Sequence, residues 1–269
     1  MSARGDIRVG IGGWTYPPWR GTFYPDRLPR KDELAHAASM LTTLEINGTF
    51  YRTQSPATFA KWREAAPAGF VYSLKAPRYA TNKKVLGEAG ESIARFVGSG
   101  IAELGDALGP ILWQFAETKK FDPGDFAAFL ALLPAEAEGL PLRHALELRH
   151  ESFCCPEAVA LVRAHGAAIV WAQESRFVEI ADATADFHYV RLMGTSDGPA
   201  AGYDDAALAA HAARLEALAE GRVPEGAPTH GAAAPGTARD VFAYVVAGHK
   251  VANPAAAQAL IARLGGASG

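Results

Sequence analysis

Residues 144–171 read HALELRHESFCCPEAVALVRAHGAAIVW, and the hydrophobic period changes twice within them. His144–Arg149 alternates apolar and polar residues as a half-buried strand does, and Glu157–His165 carries apolar residues at helical spacing. Ala167–Trp171 is again a short apolar run. A helix between two strands is a crossover connection, which joins parallel strands rather than a hairpin. Working outward, the same unit recurs along the chain. Further strand-like runs are Ile7–Gly13, Thr42–Asn47, Phe70–Lys75, Pro110–Phe115, Phe187–Met193 and Val241–Val246. Helical stretches separate them: Lys31–Leu41, Pro56–Ala65, Ser92–Leu104, Phe126–Leu133 and Asp205–Glu220, with Pro254–Leu264 after the last run. Ser55 before Pro56 and Asn253 before Pro254 predict capped helix starts. About eight βα units in 269 residues predict a single α/β domain spanning residues 1–269, a parallel eight-stranded (β/α)8 TIM barrel. Gly10, Gly12 and Gly13 fall inside the first run and not at a strand-to-helix turn, so the dinucleotide-binding fingerprint is missing. The Gly-, Ala- and Pro-rich stretch 221–239 predicts a mobile loop before the last strand.

A chain with 49% hydrophobic and 20% charged residues has material for a large core, which excludes a disordered chain. Its net charge of −3 gives no general attraction to nucleic acid or to an anionic membrane, so any anion must be held by a local patch. Cys154 and Cys155 are adjacent and lack the spacing of a zinc site or an ordinary disulfide, which points to a reducing compartment. The polar, glycine-interrupted N-terminus is not a signal peptide, and no apolar run approaches the roughly 18 residues of a membrane helix. A cytoplasmic protein is expected.

Barrel enzymes carry their chemistry at the C-terminal ends of the strands, and the period of 2 sorts the polar residues there. In Thr43–Asn47 the apolar Leu44 and Ile46 face the outer helices, which turns Glu45 and Asn47 inward. In Ala145–Arg149 the same alternation turns Glu147 and Arg149 inward, and it does so for Lys75 and Arg191 in their strands; Gln114 closes the fourth run. Two carboxylates then meet three cations. Charges in a barrel interior must pair or meet a ligand, and a surplus of one positive charge suits a phosphate or carboxylate. The alternative is a purely structural ion-pair network. Trp14, Tyr16 and Tyr51 belong to aromatic clusters after the first two strands, where they either stack on a substrate or form a packed lid. His150 falls just beyond a strand end as a hydrogen-bonding candidate, and no clustered His/Asp set implies a metal. Lys83, Lys84, Lys119 and Lys120 follow the third and fourth strands, on a solvated surface or along a phosphate-binding groove.

At these residues the chain becomes recognisable. The stretches 12–19 (GGWTYPPW), 23–25 (FYP) and 45–52 (EINGTFYR) resemble the opening motifs of the YecE-like family, domain of unknown function seventy-two. The stretches 70–78 (FVYSLKAPR), 108–115 (LGPILWQF), 145–150 (ALELRH) and 189–194 (YVRLMG) follow in family order. The resemblance implies a TIM barrel of unassigned activity, similar in fold to the xylose isomerase and endonuclease IV group. Two segments depart from it. Val245–Lys250 stands where many relatives carry an aromatic residue and an Asn pair, and residues 171–175 (WAQES) replace a short Ala-Asp-Ser.

These residues support a metal-independent enzyme with no cofactor, acting on a small phosphorylated or carboxylated, sugar-like molecule. Lys75, Arg149 and Arg191 would anchor the anion with Asn47, Gln114, His150, Trp14, Tyr16 and Tyr51, while Glu147 or Glu45 transfers the proton. The alternatives are a protein that binds or processes nucleic acid, suggested by the endonuclease-like relatives, and a barrel that binds a metabolite without transforming it. The sequence leaves the oligomeric state open.

Overall fold

The computed structural model describes residues 4–266, and each of the apolar runs becomes a strand of one closed barrel. The strands are β1 (Ile7–Gly12), β2 (Thr43–Ile46), β3 (Val71–Lys75), β4 (Leu108–Gln114), β5 (His144–Glu147), β6 (Ala168–Gln173), β7 (Phe187–Leu192) and β8 (Asp240–Val245). They are parallel throughout, each beside its sequence neighbours, and β8 closes on β1 from Ile7↔Val241 to Ile11↔Val245. The longer helices are α1 (Glu33–Met40), α2 (Pro56–Glu64), α3 (Gly90–Val97), α4 (Pro123–Ala131), α5 (Pro156–Ala164), α6 (Asp205–Ala219) and α7 (Asn253–Gly266). Among the described residues no helix is long and apolar enough to cross a membrane.

Alternation along the strands divides the apolar side chains into two sets. Leu44, Ile46, Leu74, Leu146, Val190 and Leu192 belong to the large cluster that includes the helix residues. Leu112, Ala145, Val170, Tyr189, Phe242 and Tyr244 form a separate cluster inside the barrel. Every second residue thus faces an enclosed interior, and the polar residues in that phase are forced into it. Close contact between strands explains two glycines. A Cβ at Gly10 would lie 1.9 Å from the Thr43 carbonyl oxygen, and one at Gly109 would lie 2.9 Å from that of Tyr72, beside the register shift between β3 and β4.

Ser55 caps α2 as expected, its side chain accepting the Thr58 N–H. Asn253 does not cap α7. A short 3-10 turn, Lys250–Ala252, leads straight into the helix, so Asn253 already has helical dihedrals and its buried Oδ1 accepts the Thr195 hydroxyl at 2.7 Å. The stretch 92–104 is not one helix either: α3 stops before Gly98, and a 3-10 segment follows from Ile101.

Segment 221–239 has no helix or strand, in line with its composition, but it is tied down at several points rather than free. Asp182 accepts the His230 and Gly231 amides at 2.8 and 2.9 Å, Arg163 donates to the Ala232 carbonyl, and the Ala181 amide reaches the Pro228 carbonyl. Beneath it lies a cavity of about 140 Å³ lined in part by His188, Arg163 and Arg239. Burial, and then the Arg239 charge, push the His188 imidazole down to about 4. Between pH 6.5 and 4 the unfolded chain therefore binds a proton that the folded chain refuses, and stability is lost as pH falls through that window, by up to about 3 kcal/mol. His188→Leu should flatten this loss, so that in urea unfolding its advantage over the parent grows as pH is lowered from 7 to 4.

Candidate functional site

Five strands deliver ionisable or amide side chains to one end of the barrel: Glu45 from β2, Lys75 from β3, Gln114 from β4, Glu147 from β5 and Arg191 from β7, with Arg149 two residues beyond β5. Arg191 is the hub. Its Nη2 and Nε donate to Glu45 Oε1 and Oε2 at 3.0 and 3.1 Å, and its Nη1 donates to Glu147 Oε2 at 2.7 Å. Arg149 Nε donates to the other oxygen of Glu147 at 2.8 Å. The Tyr189 hydroxyl donates to Glu45 Oε2 at 2.8 Å and lies 3.0 Å from Ser73 Oγ. Tyr189 and Tyr244 form the floor, their rings 5.0 Å apart.

All four carboxylate oxygens thus have donors. Burial alone would raise the Glu147 carboxyl, but Arg191, Arg149 and Lys75 together outweigh it and hold the group below the usual carboxylate range. Burial likewise opposes the charge on Arg191, yet Glu147 and Glu45 keep its guanidinium more firmly protonated than normal. Lys75 is different. Its Nζ lies 4.3 Å from the Phe50 ring centroid, and among the described residues it has no hydrogen-bond or ion-pair partner. It is only 8% exposed. Burial and then the Arg191 charge lower the amine to about 8, despite the opposing pull of both glutamates.

The structure therefore brings Glu45, Lys75, Glu147, Arg149 and Arg191 together. Gln114 stands in register with Glu147, its backbone carbonyl taking the Thr81 hydroxyl, and Asn47 Nδ2 lies 3.5 Å from the Glu45 carbonyl oxygen. Tyr51 is 71% exposed and packs edge-on against Phe50. The other expected ligand contacts are half-buried and also touch the protein. Trp14 packs edge-on against Trp62, and Tyr16 packs on Trp19 beneath the Lys250 amine. His150 Nδ1 accepts the Ser152 amide and caps a 3-10 turn, a local demand stronger than its position beyond a strand end suggests. Val245–Lys250 acts as a strap: the Lys250 carbonyl accepts Trp19 Nε1–H at 2.9 Å, which joins the first and last loops. Lys119 donates to the carbonyls of Lys83 and Lys84, so this part of the basic stretch braces two loops.

Two site residues escape the sequence reading. Phe177 stacks under Arg149, 4.1 Å from its guanidinium carbon, but it lies in a loop where no period marks it. Tyr189 was legible, since it precedes Arg191 by two residues in the same inward phase. Glu174, in the segment that departs from the family pattern, accepts the Tyr203 hydroxyl and faces the buried His211 at 3.5 Å. Among the described residues no three His, Cys, Asp or Glu side chains group as metal ligands would. A cleft of about 600 Å³ also opens at the opposite end of the barrel, where the starts of β1, β2 and β3 line it with Arg8, Leu41 and Phe70.

The family model described as "Protein of unknown function DUF72" matches residues 8–268. The chain belongs to the DUF72 family. It is similar in structure to the DUF72 family protein of Thermotoga maritima MSB8, with a TM-score of 0.71 at 20% identity over 97% of this chain and 98% of that one. The DUF72 family protein of Enterococcus faecalis V583 gives 0.70 at 15% identity, over 98% and 99%. At these identities the likeness concerns the fold alone. No curated protein matches the chain significantly.

Opposite substitutions should separate the roles of the cations in this DUF72 barrel. Arg191→Met strands two buried carboxylates and should cost about 3–5 kcal/mol. Lys75→Met removes a buried ammonium with no counter-ion and should stabilise the protein at pH 7 by up to about 3 kcal/mol. Because the folded lysine loses its proton near pH 8 and the unfolded one near 10.5, the parent gains stability across that window and the advantage of Lys75→Met should vanish by its upper end. Denaturant unfolding at pH 7 and 10 measures both effects.

Proposed function

We propose that this protein is an enzyme that binds a small phosphorylated or carboxylated molecule at the C-terminal mouth of its barrel and acts on it by proton transfer. The observation that carries the reading is the incomplete pairing of the charged set. A network serving stability alone gains most when each charge is matched. Here Arg191, Glu45 and Glu147 match one another, whereas among the described residues Lys75 has no carboxylate within ion-pair distance and Arg149 Nη1 has no partner. Those two uncommitted donor groups are what an anion needs. Arginine supplies a planar fork for it and lysine a point charge.

Arg191, Arg149 and Lys75 hold Glu147 ionised against its burial, so in this reading it receives a proton rather than supplying one. Glu45 is enclosed by the Arg191 fork and Tyr189. Glu147 Oε1 is held by Arg149, the more exposed of its two arginine partners, and is the proton acceptor in this reading. Glu45 fixes Arg191, and Phe177 keeps the Arg149 plane in place. Asn47 and Gln114 contribute amide hydrogen bonds at the mouth. No metal is required by this scheme.

A thermal-shift and calorimetric screen with inorganic phosphate, sugar phosphates, sugar acids and 2-oxo acids tests the reading. At least one class should stabilise the parent, and Arg149→Ala should weaken that ligand by about 10- to 150-fold, the range of a charge-assisted hydrogen bond. Affinity should also fall between pH 7 and 9 as Lys75 loses its charge. A ligand response that survives in Arg149→Ala, with only a lower melting temperature, would show the network to be structural.

A further inference from the structure

We propose that Lys75 is the nucleophile of this site, and that its ε-amine forms a Schiff base with a small aldehyde or ketone that also carries a carboxylate or phosphate. The inference rests on the anion-binding reading above and assigns the chemistry of that site. Lys75 ends β3 in the inward phase, where a strand of a barrel presents its last side chain to the mouth. Every carboxylate oxygen nearby already has a guanidinium or the Tyr189 hydroxyl as donor, and among the described residues none lies within ion-pair distance of the Lys75 amine. Phe50 covers it without offering a lone pair. A lysine kept for structure would have an acceptor for at least one of its three N–H groups. This one has an aromatic face at the C-terminal end of its strand.

The same surroundings make the amine usable. With a pKa of about 8, roughly a tenth of the side chain is neutral at pH 7, against well under a thousandth for an ordinary lysine. The neutral nitrogen attacks the carbonyl carbon, the N–C bond forms, and the π pair moves to oxygen, which takes a proton. Glu147 accepts the excess proton from nitrogen and returns it to the departing hydroxyl, which leaves as water. The balance is one ammonium plus one carbonyl giving one iminium plus one water, with no change of oxidation state. Arg149 holds the anionic end of the same molecule. The iminium is an electron sink, so a C–H or C–C bond on the adjacent carbon becomes labile.

Reductive trapping tests this. The full chain is incubated with pyruvate, a 2-oxo acid, or with dihydroxyacetone phosphate, a keto phosphate, in the presence of sodium cyanoborohydride, and modified peptides are mapped by mass spectrometry. One probe should label Lys75 stoichiometrically, faster at pH 9 than at pH 7 when probe is saturating, and labelling of that peptide should be lost in Lys75→Arg and Lys75→Met. Both variants are checked for a cooperative melt, and Lys75→Met is expected to be at least as stable as the parent. Equal, slow labelling of exposed lysines such as Lys31 and Lys61 with none at Lys75 overturns the proposal. If these probes or other anions still bind in an Arg149-dependent way without an adduct, Lys75 is only a charge anchor and the anion-binding reading stands. If neither binding nor adduct is seen with any of them, both readings fall.

Discussion

The mouth of this barrel depends on one side chain with two partners. Arg191 on β7 reaches Glu45 on β2 and Glu147 on β5, and so links three strands across the interior. Taking these ions out of water costs several kcal/mol each, which good geometry and complete hydrogen bonding only roughly offset. The arrangement is therefore intolerant of partial loss. Remove the guanidinium and Glu45 keeps only the Tyr189 hydroxyl, while Glu147 keeps only Arg149. The Tyr189 hydroxyl and the Arg149 guanidinium complete the set, and the aromatic floor and Phe177 in turn position those groups.

How much of this could be read beforehand follows from which forces are local. A strand places alternate residues on opposite faces, so Leu44 and Ile46 going outward obliges Glu45 to go inward, and the same holds for Lys75, Glu147 and Arg191. Eight repeated units of this kind leave little choice but a barrel. Pairing within the interior is not local: Arg191 meets a glutamate from β2, 146 residues away in the chain, and nothing in the spacing marks it. Phe177 was hidden for the same reason. Loop residues answer short-range backbone demands as well, as His150 shows by capping the turn next to it. Asn253 shows the converse. Its sequence context suits a cap, but a distant Thr195 takes its side chain and the preceding 3-10 turn takes its backbone.

Desolvation acts on two buried bases here, with different consequences. His188 lies on the outer side of β7 beneath segment 221–239, where being neutral at pH 7 is simply the cheaper state. Its burial matters for acid stability. Lys75 is also buried, but at the C-terminal end of its strand. The same shift in proton affinity is thus a structural expense in one place and, in the proposed chemistry, a resource in the other. Position relative to the strand ends decides between them.

The choice between arginine and lysine follows the same division. At position 191 the partners are two carboxylates that must be gripped at once, and only a guanidinium has enough donors in a fixed plane to bind one bidentately while reaching the other. It also cannot lose its proton, so the bonded network keeps its charge over the whole working range of pH. Position 75 has no carboxylate to satisfy. An arginine there would be a permanent buried charge without a partner, whereas a lysine can shed its proton and bring the five-residue set to neutrality. In the proposed chemistry an anion at the mouth would shift that balance toward the ammonium and a carbonyl would shift it toward the free amine. A molecule bearing both groups would then use the two states in sequence, first the charge for binding and then the lone pair for reaction. An overall charge of −3 is no obstacle, since screening confines exposed charges to about 8 Å at physiological salt while the partly enclosed mouth keeps its own local field.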